Sequence, residues 1–281
     1  IGRLVGSEMC IRDSLKVACI QLTSKQSIQE NLKQTIKFVH QAISKKAKLI
    51  ITPEITNIVS SNKHQLLKEI YLEGNDPFLK TFKTIAREKT VWIVLGSIII
   101  RNQNGKIYNR SYVINDQGKL SAKYDKIHLF DATISKKEKY RESSLFLKGK
   151  KIKVVKTPWG KIGLSICFDI RFPELYRHLM VKGAQFITIP AAFTVKTGRA
   201  HWQNLIVARA IETGCYIFAP AQYGKHNSKR ITYGHSLIVS PWGDIIAERK
   251  SGQGLIMADI DPNMVNKIRQ NIASFKPLLL K

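Results

Sequence analysis

Three places in the chain set a reactive or ionisable side chain at the tip of an expected strand: Glu54 in ITPEIT, Lys126 in KYDKIHLFD and Cys167 in GLSICFDIRFPEL. A cysteine attacks as the thiolate, and a free thiol is mostly protonated at neutral pH, so a nucleophilic cysteine needs a group to take its proton. Histidine is the usual partner, but His128, His178, His201 and His235 stand in no recognisable thiol-protease arrangement. A carboxylate such as Glu54 can act as the base, and a cation such as Lys126 can steady charge developing on a carbonyl oxygen. Taken singly, a strand-end glutamate or lysine is usually a solvated surface charge, and a cysteine is usually a small core residue. Cys19 and Cys215, inside apolar runs, fit the core role. Cys167 differs, because its strand stops abruptly before the helix opened by Pro173, which leaves unpaired backbone N–H groups close to the thiol.

These positions need elements to hold them. Residues 15–22 read as a strand, and Ile28, Leu32, Ile36, Val39 and Ile43 recur at helical spacing after it. Residues 48–52 form a short buried strand stopped by Pro53, which puts Glu54 at its carboxyl tip. Pro77 opens a helix with Phe78, Phe82 and Ile85 inward, and a strand over 91–100 follows, interrupted at Gly96. Ile107–Ile114 and the stretch from Leu120 read as a hairpin around Asn115 to Gly118. Residues 131–151 read as a charged, irregular surface loop able to fold over a site. Further strands are expected at 161–166, 185–189, 215–220, 234–239 and 244–248, with helices from Pro173 and over 200–212. Alternating strands and helices with several hairpins predict an α/β fold of two mixed sheets flanked by helices, forming one domain over residues 15–281.

Composition narrows the function. The formal net charge of +26 invites a nucleic-acid reading, but Lys33, Lys37, Lys80, Lys83 and Lys267 are scattered over polar helix faces and loops. No RNA-recognition, zinc-finger or helix-turn-helix signature accompanies them, so neither nucleic acid nor a membrane is an expected partner. No apolar run approaches the roughly 20 residues that span a bilayer. Wide, irregular cysteine spacing is neither a disulfide framework nor a zinc pattern, and a reducing cytoplasm is the expected setting. Residues 1–14 carry no usable apolar period, and SEMCIRDS resembles a translated transposon adapter, so this leader is expected to be non-native or disordered.

In order and spacing, the three stretches resemble the motifs of the nitrilase superfamily of carbon–nitrogen hydrolases, and the resemblance covers nearly the whole chain from Leu15 onward. One departure is Thr52, where many members have leucine. The resemblance implies an αββα sandwich and a cysteine-dependent amidase that works through a thioester with no metal and no cofactor. Glu54 would be the base, Cys167 the nucleophile, and Lys126 with the backbone N–H of Phe168 the oxyanion donors. Glu142 in KYRESSLFLKG would orient Lys126 and the substrate nitrogen, unless it is a solvated member of the charged loop. Asp169 and Arg171 are expected to brace the cysteine turn by an ion pair. Residues 191–243 look most like the branch that cleaves amides of 2-oxo dicarboxylic acids, which implies a small anionic amide as substrate. Phe193, Thr194, Thr197 and His201 are the expected pocket wall. For His201 and Trp202, core packing or a dimer contact remains equally open. Members commonly pair through helices, so a homodimer through the helices after Pro173 and Ala200 is expected. A binding or regulatory protein on the same fold is the competing reading.

Overall fold

The computed structural model describes residues 14–272, apart from Ser61, Lys137 and Lys229. All of the expected leader except Ser14 lies outside them. Along the chain run β1 (Leu15–Gln21), α1 (Ile28–Ser44), β2 (Leu49–Ile51), α2 (Lys63–Glu69), α3 (Pro77–Lys89), β3 (Trp92–Arg101), β4 (Ile107–Ile114) and β5 (Leu120–Asp125). Then come β6 (Asp131–Ser135), β7 (Glu138–Arg141), β8 (Val154–Thr157), β9 (Gly160–Leu164), α4 (Pro173–Val181) and β10 (Phe186–Thr188). The chain continues with α5 (Val195–Thr197), α6 (Gln203–Thr213), β11 (Tyr216–Ala219), β12 (Tyr223–Lys225) and β13 (Ile231–Tyr233). It closes with β14 (Ser236–Val239), β15 (Ile245–Arg249), β16 (Gly254–Ile260) and α7 (Asn263–Asn271).

Two six-stranded mixed sheets, in the orders β16-β1-β2-β3-β4-β5 and β15-β14-β11-β10-β9-β8, form the centre. Strand periodicity sorts their side chains. Leu15, Val17 and Cys19 of β1, Leu49 and Ile51 of β2 and Val94 of β3 join the core shared with the second sheet. The alternate residues Ala18, Ile20, Ile50, Ile93 and Leu95 pack outward beneath Phe38, Val39 and Ala42 of α1 and Phe78, Phe82 and Ala86 of α3. Leu175, Tyr176 and Leu179 of α4 and Ile206 and Ala210 of α6 cover the second sheet. The result is the expected two-sheet sandwich flanked by helices. Each fully buried aliphatic or aromatic side chain contributes about 1.5–3 kcal/mol through removal from water.

Helix boundaries follow local chemistry. Ser27 caps α1 by accepting from Glu30 N–H, and Asp76 caps α3 from Leu79 N–H ahead of Pro77. Three expectations are corrected. Residues 131–151 are not wholly irregular, because β6 and β7 pair as an antiparallel hairpin followed by a tight turn at Glu142–Ser144. The helix expected over 200–212 becomes regular only at Gln203, after a wide turn at Gly198–Trp202 where Tyr233 packs against the Gly198 backbone. Cys215 precedes β11 rather than lying within it. The hairpin β12–β13, the strand β16 antiparallel to β1, and helices α2 and α7 are additional elements. Among the described residues no helix is long and apolar enough to cross a membrane.

In each sheet three neighbouring strands run parallel: β1, β2 and β3 in one, β9, β10 and β11 in the other. Open α/β sheets gather ligands beyond the carboxyl ends of such strands. Chain leaving β2 carries Glu54, and chain leaving β9 carries Cys167.

Candidate active site

Glu54 lies on a tight turn that cannot continue its strand, because Pro53 lacks an N–H. Ile55 takes φ +47°, a left-handed conformation that is costly for a β-branched residue, by about 1–3 kcal/mol. The surroundings hold it there: Ile55 N–H donates to Ser97 Oγ (2.8 Å), Thr56 N–H to Ser97 O (2.8 Å) and Gln222 Nε2 to Glu54 O (3.0 Å). Gly96 does not interrupt β3, which runs on to Arg101, but lies where its register with β4 shifts, between Leu95 and Ile98. A Cβ there would lie 1.9 Å from Thr52 O and 2.5 Å from Pro190 Cβ, so only glycine lets the two sheet ends close on each other.

Cys167 opens a short 3₁₀ turn, Cys167–Arg171, also at φ +47°. Its own N–H is spent on Pro190 O (2.9 Å). The Phe168 N–H comes before the first bond of the turn, Asp169 N–H to Ile166 O, and it donates to no acceptor among the described residues. Asp169 is fully buried and braces the turn, but not through Arg171 as expected. Its carboxylate accepts from Ile166 N–H (2.8 Å), Tyr124 O–H (2.7 Å), His128 N–H (2.9 Å) and His128 Nδ1 (2.7 Å). One carboxylate thus ties the cysteine turn to residues on both sides of Lys126. Arg171 instead lies over the Phe168 and Phe193 rings, at 5.8 and 5.6 Å, with Nη2 3.2 Å from His201 Nδ1. Residues two apart share a face only on an extended strand, and the 3₁₀ turn points these two side chains apart, one into the core and one to the rim.

Lys126 follows β5 directly, and its N–H donates to Asn109 O of β4 (3.0 Å). Its ammonium is 2% exposed and bonds Glu54 Oε1 and Glu142 Oε2, each at 2.8 Å. Asn109 Nδ2 bridges the same two carboxylates, at 3.0 Å from Glu54 Oε1 and 3.1 Å from Glu142 Oε1. Phe130 N–H also donates to Glu142 Oε2 (2.6 Å), so Glu142 faces Lys126 rather than solvent.

These contacts set the protonation states. Burial raises the Glu54 carboxyl, but the Lys126 ammonium and the facing Cys167 thiol outweigh it and hold it below the usual carboxylate range. Burial works against the Lys126 charge, and Glu142 and Glu54 overcome it, holding the ammonium well above its usual value. Burial, reinforced by the Glu54 charge, pushes the Cys167 thiol well above its usual value despite Lys126. At rest the trio is therefore an ionised glutamate, an ammonium and a neutral thiol.

A cavity of about 780 Å³ opens over this trio, with β7 along one wall and Arg230 also lining it. Phe193, Thr194 and Thr197 lie apart from it, in a narrow recess on the other flank of Cys167 that Phe168 and Arg171 share. His201 reaches neither space and is an exposed partner of Arg171. Trp202 takes the core role, with Nε1 donating to His235 O (2.7 Å). Sequence reasoning missed Asn109 and Arg230. Asn109 left a signal, since a polar residue held inward on an apolar strand needs a polar partner. Among the described residues no group of three or more His, Cys, Asp or Glu side chains is arranged to hold a metal ion.

The carbon–nitrogen hydrolase family profile matches residues 16–270. The chain is 40% identical over 266 residues to the deaminated glutathione amidase of Rattus norvegicus, covering 92% of this chain and 81% of that one. Saccharomyces cerevisiae Nit3, described as a member of branch 10 of the nitrilase superfamily, superposes with a TM-score of 0.83 at 31% identity over 95% of this chain and 96% of that one. The Caenorhabditis elegans NitFhit protein superposes with a TM-score of 0.88 at 34% identity over 93% of this chain, which spans 64% of the worm protein's length. With two mixed sheets, flanking helices and a family match over nearly its whole length, the chain belongs to the carbon–nitrogen hydrolase family, as a hydrolytic amidase of the nitrilase superfamily.

Proposed function

We propose that the protein hydrolyses the amide bond of a small 2-oxo dicarboxylic acid amide, deaminated glutathione foremost, with Cys167 as nucleophile and a thioester intermediate. The observation that carries the chemistry is the buried meeting of Glu54, Lys126 and Cys167 at the carboxyl ends of two parallel strand sets. Glu54, ionised and facing a neutral thiol, takes the sulfur proton as Cys167 attacks the carbonyl carbon. Lys126 has three donors, of which Glu54 and Glu142 occupy two, leaving one for the oxyanion. The Phe168 N–H is the second donor, since that of Cys167 is engaged with Pro190. Glu54 then passes its proton to the departing nitrogen, which leaves a thioester on Cys167. Water activated by the same carboxylate attacks the thioester and releases the acid and the free thiol. Glu142 and Asn109 keep Glu54 and Lys126 in register through both halves.

The relatives' activity and the basic edge of the cavity, with Lys139, Arg141 and Arg230, support an anionic substrate. An omega-amidase acting on 2-oxoglutaramate is the second reading, since the same trio would serve it. Measuring 2-oxoglutarate and ammonia from purified protein, beside Cys167→Ala, separates the two. Release of 2-oxoglutarate from deaminated glutathione without ammonia supports the first, and more efficient ammonia release from 2-oxoglutaramate supports the second. Turnover retained by Cys167→Ala would refute the nucleophile assignment. The homodimer through α4 and α6 is likewise proposed, and sedimentation of the intact chain tests it.

A further inference from the structure

One cation in the cavity has no part in the proposed proton and oxyanion steps, yet is fixed in place. Lys139 and Arg141 are exposed on the hairpin, whereas Arg230 is half-buried and held from two directions. Its Nη2 donates to Ala192 O (2.6 Å), and its guanidinium carbon lies 4.7 Å from the centroid of the Tyr140 ring. Tyr140 is itself set in place by Phe130, 4.9 Å away, and by its hydroxyl bond to Glu138 (2.8 Å). Buried arginines elsewhere, Arg110 and Arg209, have carboxylate partners, while Arg230 has none within ion-pair distance among the described residues. Its charge nevertheless reaches Glu54, which it helps keep ionised. The Ala192 peptide joins it to the nucleophile, since its N–H serves the Cys167 sulfur and its C=O takes Arg230.

We propose that Arg230, seated on Tyr140, is the anchor for the substrate carboxylate and the residue that sets preference for anionic over neutral amides. This deepens, and rests on, the amidase reading above. A guanidinium has five N–H donors in one plane; the Ala192 bond uses one and the Tyr140 hydroxyl a second, so three remain for carboxylate oxygens. The contact with Tyr140 and the Ala192 bond hold the cation in place before substrate arrives. A neutral amide leaves the cation unpaired in a site that has lost water, and hydrogen bonds to charged groups of this kind change affinity roughly 10- to 100-fold.

The test compares wild type, Arg230→Gln and Arg230→Lys by the rate at which iodoacetate, an anion, and iodoacetamide, its neutral analogue, alkylate Cys167, located by peptide mass mapping. Calorimetry with 2-oxoglutarate reads carboxylate affinity without catalysis. The iodoacetate-to-iodoacetamide ratio is expected to fall by about tenfold or more in Arg230→Gln, with a matching loss of 2-oxoglutarate affinity and partial rescue in Arg230→Lys. A wild-type ratio and affinity in Arg230→Gln, or no measurable 2-oxoglutarate binding to wild type, overturns the proposal. If Cys167 reacts no faster than Cys19 and Cys215, the nucleophile assignment fails and the calorimetry alone decides Arg230. Should Arg230→Gln not fold, Tyr140→Ala removes the platform from the opposite side and is read in the same way.

Discussion

The two flanks of Cys167 are built on opposite plans. On one, Glu54, Lys126, Glu142 and Asn109 are joined by four hydrogen bonds of 2.8–3.1 Å, all drawn from strand ends or a strand interior. On the other, the Phe193 ring packs tilted against Trp202, with centroids 4.8 Å apart, and the hydroxyls of Thr194 and Thr197 bond each other at 2.9 Å. The first flank concentrates charge that must be exact in position and protonation. The second offers mostly shape, with its two threonine hydroxyls already satisfied. The contrast sets the charged flank, where the large cavity also opens, against a tightly filled wall behind the sulfur.

The comparison is broken most severely by removing the shared cation. Lys126→Met strands the buried Glu54 carboxylate and the partly buried Glu142, so activity should fall by at least about 10³-fold and stability by about 3–5 kcal/mol, read by denaturant melts. Removing the amide bridge tests the same flank more gently: Asn109→Leu is expected to lower kcat by roughly 10- to 100-fold with little change in KM. A larger effect on KM than on kcat would place Asn109 with substrate fit instead.

The protonation states give a pH signature. Glu54 must be ionised and its pKa is lowered, so activity is present above the ordinary glutamate range and is lost as pH falls through that lowered value. The thiol is raised and reacts only with Glu54 as base, so no rise should appear near the ordinary cysteine value of about 8.5. A kcat/KM profile climbing through that region would indicate a preformed thiolate instead. The smallest change belongs to the fitted flank: Thr197→Val should alter KM by less than about tenfold and leave kcat near its starting value.

Legibility in the sequence follows the same divide. Glu54 and Cys167 are legible because each stands where a short apolar run is cut off, whereas Lys126, after the polar stretch LSAKYD, is legible chiefly through the motif KYDKIHLFD. Phe193, Thr194 and Thr197 were placed beside Cys167, but His201, one helical turn further on, points to Arg171 and solvent. Arg230 was out of reach because its place depends on the β12–β13 hairpin folding back toward Ala192 and on a Tyr140 from another hairpin. Both hairpins are short and polar, and their alternation gives little signal. β16 escaped for a different reason: it is recognisable as a strand chiefly by pairing with β1 at the far end of the chain. The Asp169–Arg171 pair failed because adjacency in sequence says nothing of which way a 3₁₀ turn aims its side chains.

The most direct test of the account is rapid quenching of the wild-type protein during turnover of deaminated glutathione, followed by peptide mass mapping. A 2-oxoglutaryl adduct confined to the peptide containing Cys167, absent from Cys167→Ala together with all turnover, is the expected result. Steady release of 2-oxoglutarate with no adduct at any time, and turnover that survives in Cys167→Ala, would contradict it.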